Sequence, residues 1–299
     1  MQKWIQRLAN ASAVGMFLIL IMGALVTKTE SGRGCGDDWP LCNGKFVPAY
    51  TISSFIEYSH RAVVGVVTLL LVLVTLLVFL YIRRKDARWY AVGSVALTLA
   101  QAVMGALAVV WPQSSAVLAL HFGLSLLAFA FSLLLALSFT SWGDYAGPSP
   151  LGARFRGFIW LVLIYTYCVV YIGAFVRHTV SSGGCTGWPL CNGEWIPEMT
   201  GATGIVFAHR IAAALLLVVI VILAALARKQ YAAHRKLVLG SIWALAFVIL
   251  QVFSGALVTW SLGNELAYLL TGMIHAVIIA CLFGCLSYLG VLTLYSRKG

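Results

Sequence analysis

Long apolar runs separated by short polar connections dominate the chain. Eight of them, at about 12–29, 57–81, 89–111, 116–141, 157–177, 204–227, 236–260 and 266–294, are long enough to cross a bilayer, whose hydrocarbon core takes ~20 helical residues. They predict eight transmembrane helices. The first run continues into Gly-Ala-Leu-Val-Thr-Lys without a small-residue cleavage site, and Lys3 and Arg7 precede it. It therefore reads as a retained first helix and not as a signal peptide.

Composition narrows the class. Of 299 residues, 62% are hydrophobic and only 10% charged, and the mean hydropathy is +0.96. A soluble domain is about half apolar and a quarter charged, so a soluble enzyme, a disordered chain and a small disulfide scaffold are excluded. The net charge of +11 could indicate nucleic acid, but its distribution does not. Fourteen basic residues fall at the N-terminus, in the even-numbered loops and in the tail; these include Arg83, Arg84, Lys85, Arg88, Arg154, Arg156, Arg228, Lys229, Arg235, Lys236, Arg297 and Lys298. The opposite side holds four: Lys28, Arg33, Lys45 and Arg177. This is a positive-inside bias. It predicts a multi-pass protein of a plasma membrane with both termini cytoplasmic, lipid around it and no nucleic-acid partner.

The chain also resembles itself at a spacing of about 150 residues. GALVTKTESGRGCGDDWPLCNG (Gly23 to Gly44) is echoed by GAFVRHTVSSGGCTGWPLCNG (Gly173 to Gly193), and QAVMGALAVVW from Gln101 by QVFSGALVTW from Gln251. His60-Arg61 recurs as His209-Arg210, and His121 as His275. Each half has an even number of spans, so both enter the membrane the same way. The expectation is an all-α integral membrane protein of eight helices, arranged as two pseudo-symmetric four-helix bundles related by a parallel internal repeat. The bundles are expected at 1–142 and 157–299. The polar, Pro- and Gly-containing segment 143–156 is the expected cytoplasmic linker.

Four histidines, His60, His121, His209 and His275, lie within predicted spans at matching places in the two halves. Ionisable groups at that depth are costly and mark function. Two imidazoles facing each other across a bundle suit one metal held from both sides, and a haem fits between helices in this way. The rival reading is a hydrogen bond from each imidazole to a neighbouring helix. Zinc or copper clusters would need further Cys, Asp or His at the same depth. His234, in a basic loop, reads as solvated. His178, at the outer end of the fifth span, reads as interfacial.

Glu57 breaks the symmetry. It precedes His60 by three residues and shares its helix face, whereas Val206 stands at the matching place in the second half. A carboxyl there can donate or accept a proton; the alternative is a helix N-terminal charge. Arg61 and Arg210 follow two of the histidines and could anchor carboxylates such as haem propionates, or snorkel to the interface. Cys35 and Cys42, and likewise Cys185 and Cys191, lie in outer loops where disulfides persist. Each pair could close a short loop, and a zinc site using all four is the rival. Cys168, Cys281 and Cys285 lie within spans, where a thiol packs as a small apolar group.

These motifs together resemble the haem A synthase family of terminal-oxidase cofactor assembly. The carriers are the first loop motif GALVTKTESGRGCGDDWPLCNG, EYSHR at 57–61, LALHFGLS around His121, GAFVRHT around His178 and AHR at 208–210. The resemblance covers nearly the whole chain. It implies oxidation of a methyl group of haem O to the formyl group of haem A. It further implies His60 and His121 about the substrate haem, with Glu57 assisting the oxidation. His209 and His275 would ligate an electron-relaying haem b. The Cys35–Cys42 pair resembles loop cysteines tied to activity, and Cys185–Cys191 a structural pair. Implied partners are haem O, a haem O synthase and an electron donor; small-residue helix faces would permit a homo-oligomer. The competing classes are a non-catalytic bis-histidine cytochrome b, a parallel-repeat transporter using histidines as proton relays, and a membrane thiol oxidoreductase.

Overall fold

The computed structural model describes residues 1–37, 39–46 and 51–295. Asp38 of the first loop and the tail charges Arg297 and Lys298 lie outside them. The described residues form eight helices long and apolar enough to cross a membrane, and no strand: α1 (Gln2–Lys28), α2 (Ile52–Tyr81), α3 (Lys85–Val110), α4 (Ser115–Ser138), α5 (Ala153–His178), α6 (Gly201–Gln230), α7 (Arg235–Trp260) and α8 (Glu265–Tyr295). The chain is a multi-pass membrane protein. Its outward residues are apolar, as a lipid-facing surface requires: Leu69, Leu76 and Leu80 on α2, and Leu215, Val218 and Ile222 on α6, are all exposed.

Every helix begins earlier than its apolar run predicts, α1 by ten residues and α2 by five. In α1 the buried positions Ile5, Ala9, Ser12, Ala13, Met16, Ile19 and Leu20 keep a helical stripe going back to the N-terminus. The polar residues Lys3, Gln6, Arg7 and Asn10 occupy the other face, so they interrupt the run without interrupting the helix. α2 begins at Ile52 because the Thr51 hydroxyl caps the Ser54 amide. Glu57 therefore lies inside α2 and not at the mouth of the span.

The chain divides into two units, Met1–Gly143 and Asp144–Gly299. In the first, α1 packs on α2, α2 on α3, α3 on α4 and α4 on α1, a closed ring in which α2 and α4 are diagonal. The connections α2–α3 and α3–α4 are three and four residues long, which makes those neighbours antiparallel. Gly93 lets α3 approach α4 closely: a Cβ there would lie 2.3 Å from the Phe131 ring. Arg84, predicted only as an orienting charge, is a structural clasp. It pairs with the buried Asp86 and donates to the carbonyls of Ser138 and Gly143. It thus ties the start of α3 to the end of α4.

In the second unit α5 packs on α6, α6 on α7, α7 on α8 and α8 on α5, so α6 and α8 are diagonal. The segment expected to be linker is committed to this unit from Asp144 onward. Tyr145 stacks on Tyr295 at 4.9 Å, and the Gly152 amide donates to the Tyr231 hydroxyl.

His234 is not solvated. Only 7% exposed, it packs against Gly147 and Tyr231 and bonds Ser149 through Nε2 at 3.1 Å. Burial holds its pKa below the ordinary 6.5, against the opposing effect of the Ser149 backbone contact. A folded-state pKa below the unfolded one means that the unfolded chain takes up the proton first. Stability is then full above about pH 6.5 and declines as pH falls through that value. Thermal unfolding of the detergent-solubilised chain between pH 7.5 and 5.5 should show the wild type losing stability relative to His234→Gln as pH drops; a constant gap would refute the assignment.

Candidate functional site

Each intramembrane histidine faces a glycine on the helix that precedes its own. Cβ atoms built on Gly23 (α1), Gly105 (α3), Gly173 (α5) and Gly255 (α7) would lie 3.4, 3.7, 2.7 and 3.4 Å from Cε1 of His60, His121, His209 and His275. All four glycines stand five residues before the end of their helices. The histidines stand eight, six, eight and ten residues past the starts of theirs. At 1.5 Å per residue the imidazoles therefore lie roughly 9–15 Å below the helix ends at the cysteine-loop side. His60 and His121 come from diagonal helices of the first unit, and His209 and His275 from diagonal helices of the second. The sequence reading missed the glycine seats. The signal was available, since a Gly-Ala pair recurs at these four positions.

The hydrogen-bonding state of the rings bears on what they can hold. Nδ1 of His60, His121 and His209 is buried with no hydrogen-bond partner among the described residues, a costly condition for a polar atom. For His60 and His121 this counts against the reading in which the imidazole serves to bond a neighbouring helix, whereas His209 also has a hydrogen bond with the Val169 backbone on α5. His275 differs: its Nδ1 lies 2.8 Å from Ser254 Oγ and its Nε2 2.9 Å from the Gln251 amide. Among the described residues no three His, Cys, Asp or Glu side chains cluster to hold a metal ion. Two imidazoles without further protein ligands suit an iron whose other four ligands belong to a porphyrin. A haem iron would find such a donor pair in each unit, His60 with His121 in the first and His209 with His275 in the second.

Glu57 and Arg61 form an ion pair one turn apart on α2. The carboxylate, 3% exposed, takes Arg61 Nη2 on Oε1 and the Cys35 backbone N–H on Oε2 at 2.8 Å. Arg61 Nη1 also donates to the Leu41 carbonyl. Glu57, which the sequence left without a partner, thus joins α2 to the first cysteine loop. Among the described residues Arg210 has no carboxylate beside it in the second unit. It donates to the carbonyls of Cys185, Gly187 and Leu190 and to Thr259 Oγ1. Val206, at the place of Glu57, packs under Cys185 and Cys191. The first loop thus rests on a carboxylate and the second on an apolar side chain. Neither arginine snorkels away from its loop.

The loops themselves follow from Trp-Pro-Leu-Cys-Asn-Gly. Asn43 and Gly44, and Asn192 and Gly193, all have positive φ, the geometry of a tight hairpin turn that Asn-Gly favours. The turn pairs Cys42 with Lys45 and Cys191 with Glu194. Asn43 and Asn192 then reach back to the Gly34 and Gly184 carbonyls. Disulfides join Cys35 to Cys42 and Cys185 to Cys191, so the four-cysteine zinc alternative falls. His178 ends α5, half-buried beside the second loop.

Comparison with known proteins agrees along the whole chain. The family described as cytochrome oxidase assembly protein, COX15-CtaA, matches residues 6–287. A protein named "Heme A synthase" from Exiguobacterium sp. is 40% identical over 292 residues, covering 97% of this chain and 93% of its own. Proteins of the same name from Symbiobacterium thermophilum and Geobacillus kaustophilus are each 40% identical, covering 98% and 100% of this chain and 96% and 94% of theirs.

Charged hydrogen bonds of the Arg210 kind contribute about 1.5–3 kcal/mol each. Arg210→Met should therefore open the second loop. Under limiting reductant, alkylation of Cys185 and Cys191 followed by mass spectrometry should run at least about 10-fold faster than in wild type, with Cys35 and Cys42 unaffected. Equal rates would show that the arginine does not hold the loop.

Proposed function

Because the chain belongs to the COX15-CtaA family of cytochrome oxidase assembly proteins, we propose that it is an oxidoreductase of haem A biosynthesis that converts a methyl group of haem O to the formyl group of haem A. The observation that carries the reading is the pairing of four glycine-seated imidazoles on diagonal helices, with an acid beside only one pair. The first unit takes haem O as substrate between His60 and His121. The second holds haem b between His209 and His275, and a haem so bound supplies one-electron chemistry. The glycine seats fix the imidazole rings, and the apolar helix faces keep bulk water from the reacting carbon.

Oxidation of a methyl carbon releases protons, and Glu57 is the acid one turn from His60. Arg61 on Oε1 and the Cys35 N–H on Oε2 hold its carboxylate, which is placed to accept a proton; an electron acceptor takes the electrons, and water or dioxygen supplies the formyl oxygen. Val206 cannot do this in the second unit, which favours chemistry in the first and electron relay in the second. A plain cytochrome b would have no use for that asymmetry. The charge distribution supports a plasma-membrane protein with cytoplasmic termini and outer cysteine loops, served by a haem O synthase and an electron donor.

Expression of the full chain with a source of haem O, followed by chromatography and mass analysis of extracted haems, should yield haem A or its hydroxylated precursor. Unchanged haem O would overturn the reading. Glu57→Ala and Glu57→Gln should both abolish conversion while leaving the haem spectrum of the second unit intact; full activity in Glu57→Gln would reduce Glu57 to a loop anchor.

The seats give a graded prediction. Gly173→Ala places a Cβ 2.7 Å from His209 and should remove the haem absorbance of the second unit, whereas Gly105→Ala meets His121 at an ordinary 3.7 Å and should leave absorbance unchanged. Equal effects of the two would contradict it.

A further inference from the structure

The two units share the sequence pattern Gln-x-x-x-Gly-Ala on the helix before the second histidine, but its fourth residue differs. It is Ser254 in α7 and Met104 in α3. Ser254, 2% exposed, donates its hydroxyl proton to the Gln251 carbonyl at 2.9 Å. A carbonyl can only accept, so toward His275 the serine oxygen is left to accept. In that arrangement Nδ1 of His275 donates to Ser254 Oγ at 2.8 Å and Nε2 keeps the lone pair. The Gln251 amide group lies 2.9 Å from that same Nε2.

None of this holds in the first unit. Nδ1 of His121 has no hydrogen-bond partner among the described residues. Gln101 Oε1 accepts from Ser125 at 2.8 Å, where α8 carries Ile279. The Gly105 seat is also the loosest of those on α3 and α7, at 3.7 Å against 3.4 Å.

We propose that Ser254 is a positioning residue that fixes His275 with Nε2 toward iron and makes the haem of the second unit a resident group, while Met104 leaves His121 unfastened and makes the haem of the first unit exchangeable. The proposal rests on the reading of both units as haem sites. Its physical basis is general: a hydrogen bond on the outer nitrogen of a ligating imidazole sets ring orientation and strengthens the ligand, and its loss weakens metal affinity about 10–100-fold. An iron held at Nε2 would take the place of the Gln251 contact there, with the Ser254 bond at Nδ1 kept. A substrate site needs the opposite property, since haem O must enter and the product must leave.

The test uses the full chain in lipid nanodiscs loaded with iron protoporphyrin IX. It follows haem transfer to excess apomyoglobin and the reduction potential of the retained haem. Wild type should release haem in a fast phase from the first unit and a slow phase from the second, the slow phase absent in His209→Ala. Ser254→Ala should speed the slow phase about 10–100-fold and move the potential positive, since a weaker ligand stabilises ferric iron less. Ser254→Thr, which keeps the hydroxyl, should restore both. Independently, Met104→Ser should slow the fast phase. A slow phase abolished by His209→Ala but unchanged in rate and potential by Ser254→Ala would overturn the role of Ser254 alone. A slow phase that survives His209→Ala would overturn the haem reading of the second unit, and this proposal with it.

Discussion

Four imidazoles inside apolar helix bundles set the terms for the rest of the structure. A polar ring at that depth is unfavourable unless it is bonded or ligating, and it must also fit between helices that approach closely. Glycine meets the second requirement on all four preceding helices, five residues from the helix end. The constant offset means that helix length, loop position and imidazole depth are linked.

From that common frame the two units diverge in the contacts around the rings. In the first, the acid Glu57 and the arginine after His60 connect the histidine helix to the Cys35–Cys42 loop. In the second, Val206 seals the Cys185–Cys191 loop with apolar contact, and Arg210 is spent on loop carbonyls. The coupling of loop to histidine helix is thus polar in one unit and dry in the other.

Much of this was legible in the sequence because membrane solvation writes strong signals. Eight apolar runs gave eight helices, and charge and polarity were rare enough in the spans to expose His60, His121, His209, His275 and Glu57. What escaped depends on contacts between distant residues. The start of α1 was hidden because Lys3, Arg7 and Asn10 break an apolar run while sharing one face of a continuous helix. His234 looked solvated because its neighbours are basic; its burial is set by Gly147 and Ser149, far away in sequence. The partners of Glu57 were hidden likewise, since one of them is the backbone of Cys35. The glycine seats carried a visible pattern, the Gly-Ala pair of each odd-numbered helix, whose meaning became clear only when each was found beneath an imidazole.

The central claim is that each unit binds its own haem through its own pair of imidazoles. It is tested most directly by titrating the purified full chain with iron protoporphyrin IX while following the low-spin bis-histidine spectrum. The account predicts two equivalents per chain, falling to one when His60 and His121 are both replaced by alanine and to the other one when His209 and His275 are replaced. A single equivalent in wild type, or loss of both after replacing either pair, would contradict it.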